Sequence, residues 1–218
     1  MISSRFLAPT LLAAGLTACA APTSREPANI SSAKFEVKAY IDSGAYQEDL
    51  AAVAAPASEW IRHRARTRPG KLAVIFDIDE TALSNLPQMH ETDWGYQPAV
   101  WDAWVAKSAA PAIDPVREVY QTARQENVAV FFLTGRKESD RTATVRNLRQ
   151  QGMGDYEALL VRPPDSKESA VIFKTAERKR LTGLGYTIIA NLGDQQSDLD
   201  GGYSERNYKL PNPFYLIP

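Results

Sequence analysis

Leu72-Ala73-Val74-Ile75-Phe76 is an unbroken apolar run, and three more follow it: Val128–Leu133, Ala158–Val161 and Tyr186–Leu192. Each is too short and too continuous to be one stripe of a helix, and reads as a strand buried on both faces of a sheet. Between them Pro115–Glu126, Glu138–Gln151 and Glu168–Thr182 carry helix formers with mixed charge. The order β-α-β-α-β-α-β predicts an α/β, Rossmann-like doubly wound parallel sheet. In such a sheet ligands bind beyond the carboxyl ends of the strands, where Asp77, Thr134 and Asp194 fall.

Upstream, Phe35, Val37, Tyr40, Ile41, Leu50, Val53, Ala54, Trp60 and Ile61 recur at helical spacing, with interruptions at Ser43-Gly44 and near Pro56. Two helices are expected, the second kinked. Residues 20–32 lack periodicity and read as a flexible tether. At the start, Arg5, an apolar stretch from Phe6 to Leu16 and the box Leu16-Thr17-Ala18-Cys19 resemble a bacterial lipoprotein signal. The stretch is too short to span a bilayer but suits an export signal. The division expected is a signal over 1–18, a tether over 19–32, N-terminal helices contributing to a cap over 33–70, and a core over 71–218 with a cap insertion at about 84–112. Acylated Cys19 would anchor the protein to a membrane on its extracytoplasmic, periplasmic side.

Charge and composition narrow the partners. Over 218 residues the formal net charge is −1 and the charges are interspersed, so a nucleic-acid polymer is not expected and a small molecule is. A single cysteine excludes an intramolecular disulfide and a thiolate zinc site.

The chemistry gathers at the strand ends. Asp77-Ile78-Asp79-Glu80-Thr81 sends two carboxylates from one strand end to the same side, which requires a cation or a proton between them. Magnesium, which prefers oxygen ligands, suits Asp77 and the Asp79 carbonyl, leaving the Asp79 side chain for proton transfer. Thr134-Gly135-Arg136 offers a hydroxyl and backbone N–H groups to a phosphoryl oxygen. Lys174, Arg178 or Lys179 could supply the cation, and spacing does not choose among them. Gly193-Asp194 through Asp198 adds two further hard-metal ligands, Asp194 directly and Asp198 through water.

Together Asp77-x-Asp79-x-Thr81, Thr134, Lys174 and Gly193-Asp194-x-x-x-Asp198 resemble the four signatures of the haloacid dehalogenase superfamily. Phe76 to Asn85 is similar to its acid phosphatase branch, subfamily IIIB, which includes bacterial class C lipoprotein phosphatases and plant vegetative storage proteins. Leu133–Ser139, Gly193–Leu199 and Lys209–Pro213 are most like the plant members. The resemblance implies a small helical cap and Mg2+-dependent hydrolysis of phosphomonoesters, with nucleoside or aryl phosphates as candidates. It assigns Asp77 as nucleophile, Asp79 as acid and base, Thr134 and Lys174 as charge stabilisers, and Asp77, Asp79, Asp194 and Asp198 to the metal. Thr81, Gly135 and Arg136 are further candidates for substrate contact. The alternatives are a phosphotransferase of the same fold and a non-catalytic storage or binding lipoprotein.

Between the first two strands Trp101 and Trp104 are spaced as neighbours on a helix and are expected to pack the cap, while Trp94 or Tyr96 is a candidate to stack on an aromatic leaving group. Arg62-His63-Arg64 lacks the glycine of a histidine phosphatase loop, and no Gly-x-Ser-x-Gly occurs.

Overall fold

The computed structural model describes residues 27–67, 70–164 and 166–217; the expected leader, Cys19 and the first part of the tether lie outside the described residues. Among the described residues no helix is long and apolar enough to cross a membrane. Five strands, β1 (Leu72–Phe76), β2 (Ala129–Lys137), β3 (Ala158–Arg162), β4 (Thr187–Gly193) and β5 (Asn207–Lys209), form one parallel sheet in the order β3-β2-β1-β4-β5. Strand β2 runs past the expected end at Leu133 to Lys137. Polar, three-residue β5 has no apolar run to announce it.

Alternation along β1 divides the interior. Val74 and Phe76 join a large core that includes residues of α2 (Ala45–Thr67), α5 (Asp114–Gln125) and α6 (Arg141–Gln150). Ala73 and Ile75 join a smaller one capped by Phe173 and Leu181 of α7 (Ala170–Gly183). A period of two in a fully apolar strand therefore feeds both faces of the sheet. The chain runs outward from β1 to β3 and crosses back to β4 on the other side of β1, so the order reverses between β1 and β4. At that switch point Asp77 and Asp194 leave neighbouring strands, and the Asp77 N–H donates to the Leu192 carbonyl at 3.0 Å.

At the N-terminal side, α1 (Ile30–Asp42) ends at Ser43-Gly44, where Gly44 takes φ 86°. Helix α2 runs through Pro56 without a break. Its residues Tyr46, Leu50, Ala54, Ala57 and Ile61 form a helical stripe buried in the large core, and Trp60 Nε1 donates to the Ile189 carbonyl at 2.8 Å. The stripe seats α2 in the helical layer over the sheet. The insertion after β1 contributes α3 (Leu86–Glu91) and α4 (Pro98–Lys107), and an antiparallel bridge between Leu83 and Ala112 closes its base.

Candidate active site

Asp77 is the first residue beyond β1 and is buried, as are Asp194 just past β4 and Asp198 in the short helix α8 (Gln196–Leu199). One oxygen from each lies within 4.8 Å of the others. Lys174, from α7 on the opposite face, donates to Asp77 Oδ1 and Asp198 Oδ1, both at 2.5 Å. Burial opposes the Lys174 ammonium, but Asp77 and Asp198 outweigh it and raise its pKa above the ordinary lysine value. Burial also lifts Asp77 well above the usual carboxylate range despite Lys174, with Asp198 and Asp194 adding repulsion. Asp194 is raised to about 6 by burial and by Asp198, against hydrogen bonds from Asn212 and Gln195.

Three buried carboxylates facing one ammonium leave an excess of negative charge equal to that of one divalent cation. The donor set is all oxygen, as hard divalent ions require, so the residues fit such an ion. Their supports are specific. Thr81 Oγ1 donates to Asp194 Oδ1 at 3.0 Å, Asn212 Nδ2 to Asp194 Oδ2 at 2.7 Å, and the Gln195 N–H to Asp198 Oδ2 at 2.8 Å. A Cβ on Gly193 would lie 2.3 Å from the Asp198 Cβ, so only glycine permits this approach.

Helix α7 resolves the choice that spacing leaves open. Lys174 and Arg178, four residues apart, share its inner face, whereas Lys179 is exposed. Arg178 is fully buried and donates to the carbonyls of Asp198, Asp200 and Gly202, fixing the loop that carries Asp198. Lys174 alone of the three reaches the carboxylates.

Asp79 turns from the triad to its own partners. Arg136 donates through Nε to both carboxylate oxygens at 3.1 Å and through a terminal nitrogen to Oδ1 at 2.6 Å, and Asn85 Nδ2 adds a bond at 2.9 Å. The side chain of Asp79 thus stands apart from the carboxylate cluster that could hold a metal. Arg136 is held in turn by Thr144 and lies over the Trp101 ring. Thr134 is buried at the same strand end, its hydroxyl accepting from the Arg136 N–H at 3.1 Å and keeping its own hydrogen to donate. Gly135 and Arg136 line the cleft.

That cleft, of about 470 Å³, opens over Asp77, Asp79, Lys174, Asp194 and Asp198. Trp94 and Tyr96 both line it. Trp94 stacks on Phe214, with centroids 5.4 Å apart and planes at 16°, while Tyr96 is 72% exposed. Trp104 packs as the sequence suggests, buried with Nε1 donating to Asn85 Oδ1 at 2.8 Å. Thr81 is fully buried, outside the cleft lining, and its hydroxyl holds Asp194.

Several residues here escape sequence reasoning. Glu80 is fully buried at φ 52°, accepts from the Asn85 N–H at 2.6 Å and from the Tyr215 hydroxyl at 2.5 Å, and is raised to about 8 by burial and then by Asp79. Residues 212–217 return over the site: Asn212 binds Asp194, Phe214 packs between Trp94 and Tyr46, and Gln195 accepts from the Ile217 N–H. The only sequence signal for this wall is the turn-rich Lys209–Pro213 stretch.

A family model described as HAD superfamily, subfamily IIIB (acid phosphatase) matches residues 10–218. The chain is 36% identical to acid phosphatase 1 of Solanum lycopersicum, over 83% of this chain and 73% of that protein. It is 35% identical to the stem 28 kDa glycoprotein of Glycine max, over 83% and 73%, and 28% identical to vegetative storage protein 1 of Arabidopsis thaliana, over 87% and 74%. Among solved structures, the class C acid phosphatase of Bacillus anthracis superposes with a TM-score of 0.70 over 86% of this chain and 87% of that one, at 22% identity, a likeness of fold.

Proposed function

The chain belongs to the acid phosphatases of HAD subfamily IIIB, and from this premise we propose that it hydrolyses small phosphomonoesters with Mg2+, through transient phosphorylation of Asp77. The observation that carries this reading is the convergence at one switch point of Asp77, Asp194 and Asp198, with Lys174 bonded to Asp77 and Asp198, beneath an open cleft with Asp79 in its wall.

Asp77, Asp194 and Asp198 would hold the ion, which would offset charge on the transferring phosphoryl group. An Asp77 oxygen bonds to phosphorus as the bond to the alcohol oxygen breaks, and Asp79 gives that oxygen a proton. Water then attacks the aspartyl phosphate, Asp79 takes its proton, and inorganic phosphate leaves. Lys174 orients Asp77 and favours its ionised form, and Thr134 with the Gly135 N–H holds phosphoryl oxygens. Trp94 and Tyr96 flank the leaving group, which favours nucleoside or aryl esters. The Leu16–Cys19 box supports export and a lipid anchor at Cys19, placing the cleft outside the cytoplasm.

The test is release of p-nitrophenol from p-nitrophenyl phosphate at acidic pH by signal-free protein. Turnover that a chelator abolishes and Mg2+ restores supports the reading; protein inert with Mg2+ present refutes it and favours a storage or binding role.

A further inference from the structure

Lys137 and Arg162 are register partners at the ends of β2 and β3, so their side chains leave neighbouring strands side by side. Both line the active-site cleft, together with Ala170 at the start of α7. Most cations near this edge are already matched: Arg136 binds Asp79, Arg141 binds Glu138 and Arg124 binds Asp155. Among the described residues no carboxylate pairs with Lys137 or Arg162, and the Arg162 Nε is buried without a hydrogen-bond partner. An unsatisfied buried donor on a charged group is costly and calls for an acceptor. The 14-residue α7 adds its amino end, where the side chain of the N-cap Ser169 makes no capping hydrogen bond. Asp140 also lines the cleft, but one of its oxygens accepts the Lys137 N–H at 3.0 Å and the other accepts from Ser139. Asp102 is a further acidic residue of the lining.

We propose that Lys137, Arg162 and the amino end of α7 form a second anion subsite, and that preferred substrates are phosphomonoesters whose leaving group carries another phosphate or carboxylate. This rests on the phosphatase reading. Lys137 lies three residues beyond Thr134, past an irregularity in the β2–β3 register, and lines the same cleft as Asp77. A six-carbon spacer between two phosphates probes that separation.

Hexyl phosphate and hexane-1,6-diol bisphosphate differ only in the terminal phosphate. The protein should cleave the bisphosphate with kcat/KM about 10-fold higher at low salt, beyond the statistical advantage of its two ends, as one charge-assisted contact provides. The Lys137→Ala/Arg162→Ala variant should abolish that preference, and high salt should shrink it. Calorimetric titration of Asp77→Asn protein with both compounds should show the same preference in affinity. If hexyl phosphate is hydrolysed but the ratio ignores the double substitution, the subsite is overturned and the phosphatase reading stands. If neither ester is cleaved while the affinity preference persists and depends on both residues, the phosphatase reading fails and the anion site stands.

Discussion

Asp77 and Asp79 leave the same strand two residues apart, yet one meets Lys174 and the other Arg136. In the proposed reaction this separation would let one carboxylate act on phosphorus and the other on protons. Asp77→Asn keeps the volume and removes the attacking oxygen; phosphate release should fall by at least about 1,000-fold while the far-UV circular dichroism is unchanged. Arg136→Ala frees Asp79 from its main anchor, and kcat should drop about 100-fold, the cost of a misplaced catalytic group. Native kcat in this variant would show that Arg136 does not position Asp79. The carboxylates at 77, 79, 194 and 198 are legible in sequence because each ends or follows an apolar strand. Glu80 is not: nothing in its spacing tells that Tyr215, at the far end of the chain, will cover it.

At the scale of elements, α7 and the β4-to-α8 turn act as two halves of one mount. The i, i+4 pair on α7 spends Lys174 on the carboxylates and Arg178 on the carbonyls of the turn. Gly193 lets the turn close on itself. Gly193→Ala would force its Cβ to within 2.3 Å of the Asp198 Cβ, so Asp198 must move. A loss of about 1–3 kcal/mol in denaturant unfolding and weaker Mg2+ affinity by calorimetry are expected, as for other overpacked sites. Native affinity in this variant would contradict the packing argument. The long apolar strands and the helices between them are legible from periodicity, and their order fixes the sheet. Strand β5 and the placement of α2 are not, because one lacks apolar residues and the stripe of the other does not say which surface it meets.

For the whole molecule, the C-terminal segment is the last piece of the site: residues 212–217 touch Asp194, Glu80, Gln195 and Trp94. Deleting residues 211–218 should lower both Tm and kcat/KM, whereas deletion with full activity would make the segment ornamental. The buried acids also set the pH response of metal-free protein. Folding raises Asp194 from 3.8 to about 6 and Glu80 from 4.5 to about 8. Their stabilising effect is fully present below the unfolded values and is lost as pH rises through the folded ones. In chelator the Tm should therefore fall between about pH 5 and about pH 8, and Mg2+ should restore more at the upper pH because its ligands must be ionised. Equal Mg2+ shifts at both pH values would contradict a carboxylate site.

In the proposed reaction Asp77 itself takes up phosphorus. Protein turning over p-nitrophenyl phosphate with Mg2+ can be quenched with borohydride, which reduces an aspartyl phosphate to homoserine, and mapped by peptide mass spectrometry. Homoserine at position 77, absent without substrate, is the result expected; an unmodified Asp77 during steady turnover, or homoserine at another aspartate, would contradict it.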